Sequence, residues 1–149
     1  MKRPLPVLCI LLALASCQQP DFHDAAGDGH RFGELRGKWL IVNYWATWCG
    51  PCKTEIPELN RIAKQHADRL NIYGVDFDAP AGDALDKEIE EMKIEFPVFE
   101  KDPSKLLGYK RPQVLPTTFV FSPEGKLVKT LTGPQTEESL LHIVEGGSS

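Results

Sequence analysis

Cys49 and Cys52 stand two residues apart, after an apolar run and before a helical pattern. That spacing suits a redox dithiol. A thiolate at a helix N-terminus is stabilised by the helix dipole and by unpaired backbone N–H groups. A second thiol one turn further in can attack the first sulfur and close a small ring. Between them, Pro51 fits the first helical turn, where its missing N–H costs nothing, and Gly50 puts no side chain beside an incoming substrate. Other cysteine chemistries want residues that are elsewhere or missing. Zinc needs a second pair of ligands, but Cys9 and Cys17 lie in or beside an N-terminal leader, and His23, His30, His66 and His142 are scattered. A c-type haem attachment needs His directly after the second cysteine, where Lys53 stands. A purely bracing disulfide rarely closes so short a loop. The expectation is no metal, and no cofactor beyond the disulfide itself.

The leader is a targeting segment. Lys2 and Arg3 form a positive n-region, and Leu5 to Ala15 is an apolar stretch too short to span a bilayer. It ends Leu14-Ala15-Ser16-Cys17, which resembles the bacterial lipobox, the signal whose cysteine is lipidated and becomes the first mature residue. The alternative is an ordinary secretory signal cleaved near Ala15 or Ser16. The expected organisation is a signal peptide over 1–16, a lipidated Cys17 with a short tether over 17–19, and one domain over 20–149. Gln18-Gln19 is the obvious tether, and two extended residues reach only about 7 Å. Several acyl chains would anchor the protein stably.

Removing 16 of the 149 residues leaves 133, enough for one domain with a proper core. Without Lys2 and Arg3 there are 15 basic against 21 acidic residues, a formal charge of −6. No basic cluster appears, which argues against nucleic acid. Only Cys49 and Cys52 remain in the exported domain, so the fold does not rest on other disulfides.

The elements that must position the dithiol follow from pattern. Gly27-Asp28-Gly29 reads as a turn of a short hairpin. Trp39 to Trp45 is a mostly apolar, β-rich run suited to a buried central strand. A helix is expected from Pro51 to Ala67, with Ile56, Leu59 and Ala63 continuing the face of Cys52, and with Pro57 kinking it. Asn71 to Phe77 is a second strand. Asp83 is expected to cap a helix reaching Ile94, whose acids Asp86, Glu88, Glu90 and Glu91 form a solvated face. Pro97-Val98-Phe99 reads as a short strand and Ser104 to Gly108 as a helical turn. Thr117 to Phe121 and Lys126 to Thr132 flank a hairpin turn, and Thr136 caps a last helix through Val144, beyond which Gly146 to Ser149 should fray. The order predicts an α/β sheet with helices on both faces.

Over residues 20 to 145 the chain resembles the thioredoxin-fold proteins of the TlpA/ResA type, membrane-tethered thiol-disulfide proteins of bacteria. The resemblance is carried by Val42-Asn43-Tyr44-Trp45-Ala46-Thr47-Trp48-Cys49-Gly50-Pro51-Cys52, by Glu55-Ile56-Pro57 and by Leu115-Pro116-Thr117-Thr118-Phe119. The helical insert before Phe96-Pro97-Val98 and the hairpin Ser122-Pro123-Glu124-Gly125-Lys126 also match. It implies a central mixed sheet flanked by helices, with an N-terminal hairpin. It implies that Cys49 attacks, that Cys52 resolves, and that Pro116 is a cis-proline exposing the Leu115 backbone to an extended substrate. Asn43 departs from thioredoxin, which carries a buried acid there; Glu55, sharing a helix face with Cys52, is the implied proton handler. Trp45 is assigned to the core, and Trp48, Gly50, Pro51 and Leu115 to substrate binding.

The resulting expectation is a protein-disulfide reductase on the periplasmic side of a bacterial membrane. Its expected partners are disulfide-containing exported proteins, apocytochrome c among them, and a membrane thiol donor. Cytochrome c maturation and oxidative-damage repair are the implied settings, with a monomer as the working form. Gln18 after Cys17, in place of an Asp retention signal, leans to the outer membrane. Two other classes compete. A peroxiredoxin-like peroxidase wants Thr three residues before its cysteine, whereas Thr47 is two before. A non-catalytic binding lipoprotein would have no need of the dithiol, Glu55 and Pro116 together.

Overall fold

A computed structural model describes residues 19–146. The leader, Cys9, the proposed lipid site Cys17, the tether residue Gln18 and the last three residues lie outside the described residues. β1 (Phe22–His23) and β2 (Gly29–His30) form the short antiparallel hairpin, turned at Gly27, whose φ of 86° a side chain would resist. A 3-10 turn over Phe32–Leu35 leads to β3 (Trp39–Trp45), buried along its whole length. α1 (Gly50–Gln65), β4 (Leu70–Asp76), α2 (Asp83–Met92), α3 (Ser104–Leu107), β5 (Thr117–Phe121), β6 (Leu127–Thr132) and α4 (Glu137–Gly146) complete the chain.

The main sheet has the order β4-β3-β5-β6. β3 runs parallel to β4 and antiparallel to β5, and β5 pairs antiparallel with β6. The sheet is therefore mixed, as expected. Strand periodicity sorts β3 between two cores. Trp39, Ile41 and Trp45 face α1, α2 and α4, joined by Ile56, Leu59, Ile62, Leu85, Met92, Leu140 and Val144. Leu40, Val42 and Tyr44 face the other way, into an aromatic layer with Phe22, Tyr73, Phe99, Phe119 and Phe121. The faces are covered unequally. The three long helices share one, while the hairpin, the 3-10 turn and the single turn of α3 cover the other.

α1 runs unbroken through Pro57, and its inner face is Cys52, Glu55, Ile56, Leu59 and Ile62. The segment 97–99 adds itself beside β4 through a parallel bridge between Gly74 and Val98. Three expectations need correction. Asp83 is the first helical residue of α2, and Gly82, at φ 56°, occupies the cap position. The turn into α2 needs a backbone shape that glycine takes readily, so the cap is not a side-chain one. α2 also stops at Met92, because Lys93 turns left-handed at φ 54°. Glu88 is not on a solvated face. It is half-buried, and its carboxyl lies against that of Asp76 at the end of β4.

Trp45 is fully buried, and Gly74 on the neighbouring strand makes room for it. A Cβ at Gly74 would come within 2.8 Å of Trp45 Nε1, 3.1 Å of Val98 and 3.2 Å of Phe96. Gly74→Ala is therefore expected to destabilise the fold by ~1–3 kcal/mol through overpacking. The urea midpoint measures this, and a midpoint equal to that of the parent chain would contradict the packing argument.

Candidate active site

β3 delivers the chain to the dithiol. Its parallel pairing with β4 ends at Trp45 opposite Asp76, and the chain then turns over Ala46 to Cys49. Cys49 is the N-cap of α1, with extended φ and ψ of −84° and 101°. The N–H of Cys52 points at Cys49 Sγ across 3.2 Å. This is the orphan donor of a helix start, aimed at the sulfur that would carry negative charge. Cys49 and Cys52 are joined in a disulfide with Cα atoms 5.3 Å apart. Cys49 is the outer sulfur, but only 4% exposed, and Cys52 is fully enclosed. Cys49 is therefore nearly as enclosed as Cys52. Gly50 and Pro51 are exposed at the helix tip.

Below the disulfide, Glu55 lies on the buried face of α1, one turn from Cys52 and 2% exposed. Asn43 Nδ2 donates to its Oε2 at 3.0 Å, and the Gln135 backbone N–H donates to its Oε1 at 2.8 Å. Asn43 Nδ2 also donates to Thr118 Oγ1 at 3.0 Å, its register partner on β5. Burial pushes the Glu55 carboxyl up to about 7, against the opposing pull of those two donors. Asp76, 3% exposed, is also pushed up to about 7, by burial first and then by the neighbouring Glu88 carboxyl.

The Leu115–Pro116 bond is cis, and Pro116 is buried at the head of β5. Leu115 packs against the cluster that holds both cysteines. Its backbone N–H and C=O have no hydrogen-bond partner among the described residues. Trp48 is 63% exposed, its indole N–H donating to Asp78 Oδ2 at 2.7 Å and its ring edge-on to Phe77. The Arg111 guanidinium lies 4.4 Å over the other partner of that stack, Phe77, donates to the Phe77 carbonyl and pairs with Asp102 at 3.2 Å. The structure thus gathers Trp48, Cys49, Gly50, Pro51, Cys52 and Glu55 at one helix start, with Leu115 and Pro116 in the turn just ahead of β5. The sequence reading gave no part to Thr118, Gln135, Asp78 or Arg111. Thr118 becomes visible only through the β3–β5 register, and Gln135 acts through its backbone.

Residues 15–130 match the sequence profile of the AhpC/TSA family. The chain belongs to the AhpC/TSA family. It is 33% identical over 126 residues to the thiol-disulfide oxidoreductase ResA of Bacillus subtilis (strain 168), covering 83% of this chain and 69% of that one. It is 32% identical over 129 residues to ResA of Geobacillus thermodenitrificans (strain NG80-2), covering 85% and 74%. A solved thiol:disulfide interchange protein from Chlorobium tepidum TLS superposes with a TM-score of 0.68 at 25% identity, covering 91% of this chain and all of that one. This AhpC/TSA member is a thiol-disulfide oxidoreductase with a thioredoxin fold, resembling ResA.

The raised carboxyl of Glu55 sets a pH dependence of stability. An unfolded glutamate loses its proton near 4.5, whereas the folded one holds it to about 7. Between those values the folded state binds more protons, so stability falls as pH rises. The fall from this group is of order 3 kcal/mol and is complete above about pH 7. Glu55→Gln removes it. Urea unfolding at about pH 5 and about pH 8 should show a smaller drop in the variant than in the parent chain, Asp76 giving both the same residual slope. Equal drops would mean that Glu55 is ionised throughout.

Proposed function

We propose that this oxidoreductase reduces disulfides in exported proteins outside the cytoplasm. What carries the reading is the Cys49–Cys52 pair at the start of α1, with the unpaired Leu115 backbone beside it. An extended segment of a partner protein pairs with Leu115 as an added strand, which brings its disulfide to Cys49. The reduced enzyme then acts in two exchanges. The Cys49 thiolate attacks one partner sulfur, forming a mixed disulfide and releasing the other sulfur as a thiolate. Cys52 gives up its proton and attacks Cys49, closing the Cys49–Cys52 disulfide and releasing the second partner thiolate. Two electrons pass to the partner. Cys52 is sealed from solvent, so its proton needs a protein group to receive it, and Glu55 is the acid on its helix face. A membrane dithiol donor restores the reduced state. The relatives, named thiol-disulfide oxidoreductases, support exchange between disulfides over peroxide chemistry.

The direction follows from the residues between the cysteines. Neither Gly50 nor Pro51 is charged, so no cation between the cysteines stabilises the reduced Cys49 thiolate. The potential is expected on the order of −200 to −270 mV, well below a strong oxidant near −120 mV. Equilibration with glutathione buffers measures it. A value above about −150 mV would make the protein an oxidase instead.

The anchor is part of the same proposal: Cys17 is the mature N-terminus and carries lipid, with apocytochrome c and other oxidised exported proteins as candidate substrates. Mass spectrometry of the mature terminus should show acylated Cys17. An unmodified terminus at another residue would make the protein a soluble periplasmic one.

A further inference from the structure

Asn43 is caught between two acceptors. Its amide nitrogen donates both to Glu55 Oε2 and to Thr118 Oγ1, each at 3.0 Å, while its own Oδ1 is buried without a hydrogen-bond partner among the described residues. Asn43 itself is fully buried. An orphaned buried carbonyl is costly, and two donations from one amide nitrogen require that Glu55 face it as an acceptor. That is the arrangement of an ionised Glu55.

A protonated Glu55 needs a different one. Oε1 accepts from the Gln135 N–H, and the carbonyl oxygen is the better acceptor of the two, which favours the hydroxyl on Oε2, facing Asn43. A hydroxyl cannot share a line with an amide donor, so Asn43 must present oxygen there instead. Turning the amide by half a revolution about χ2 does this with no change of shape. Oδ1 then accepts from Glu55 Oε2–H, and the Thr118 hydroxyl, which both donates and accepts, rotates to donate to the same oxygen.

We infer that Asn43 is a positioning residue for the proton of Glu55: its side-chain amide reverses each time Glu55 gains or loses a proton, with Thr118 following. Proton uptake is the only chemical change, a carboxylate becoming a carboxylic acid with the proton coming from Cys52 or from solvent. Both protonation states of Glu55 thereby stay hydrogen-bonded inside a buried site. Charged neighbours do not supply this service. On α1, Cys52 is in the disulfide, and Glu58 is turned to Arg61 and the Glu137 N–H. β3 and β5 present neutral Asn43 and Thr118, the loop before α4 presents the Gln135 amide, and Glu137 on α4 is paired with Arg61 and His66. The inference rests on Glu55 titrating near neutrality, which the same experiment checks separately.

The test is nuclear magnetic resonance of the isotope-labelled, oxidised protein between about pH 5 and about pH 9, following the Glu55 carboxyl carbon and the Asn43 side-chain amide protons. At high pH those protons should show contacts to Glu55 and Thr118; at low pH the contacts should vanish, with the same midpoint as the Glu55 carbon. Asn43→Leu, which removes the stronger charge-assisted donor, should raise that midpoint by at least about one pH unit, a tenfold gain in proton affinity. Thr118→Val, which takes one neutral bond from each state, should leave the midpoint nearly in place. Contacts that persist while the Glu55 carbon titrates would overturn the inference and leave the role of Glu55 standing. A Glu55 carbon that does not titrate in this range would overturn both.

Discussion

A carboxyl group buried under the helix that carries the disulfide is the constraint to which the rest of the structure answers. Glu55 can be held there only if neighbours supply polar contacts, and each comes from a different element: Asn43 from β3, the Gln135 N–H from the loop before α4, and Thr118, through Asn43, from β5. The parallel β3–β4 pair and the antiparallel β3–β5 pair fix where those groups meet α1. A buried charge without such a cage costs several kcal/mol, and shifts its pKa instead of staying ionised. The two donors only partly offset burial, so the carboxyl is pushed up to about 7.

The unequal covering of the sheet serves the same end. Long helices on one face bring α1 and α4 close enough for Arg61 and His66 to hold Glu137, which steadies the loop that offers Gln135. The opposite face needs no such alignment. There, stacked rings do the filling: Phe22 lies 4.7 Å from both Phe32 and Phe99, and Tyr109 lies 4.2 Å from Phe119. Aromatic packing gives large apolar burial from short segments, so a two-strand hairpin and one turn of helix suffice.

What could be read from the sequence was whatever depended on local pattern. The run Trp39 to Trp45 shows as a strand because six of its seven residues are apolar or aromatic, with Asn43 the exception. The dithiol, Pro51 and Thr117 to Phe121 were legible for the same local reasons, and Thr136 does cap α4, its Oγ1 accepting from the Ser139 N–H. What was hidden depends on partners far along the chain. Glu88 looks like one of several surface acids until β4 places Asp76 against it. Asn43 shows as a departure from thioredoxin, yet its partners are twelve and seventy-five residues away. Gln135 contributes a backbone N–H, which every residue except proline has, so no residue type marks it.

Helix position separates the two sulfurs more than solvent access does. Cys49 touches solvent through a sliver and caps a helix, so its negative charge can be met by backbone N–H groups and by water. Cys52 has no outlet to water, so in the proposed exchange its proton has to pass to a protein base such as the Glu55 carboxylate. In the proposed exchanges the first sulfur attacks as an anion and the second follows it from inside the fold. The sequence distance of three residues thus does two jobs: it closes the disulfide ring, and it carries the second sulfur one helical turn inward, to the depth at which Glu55 sits.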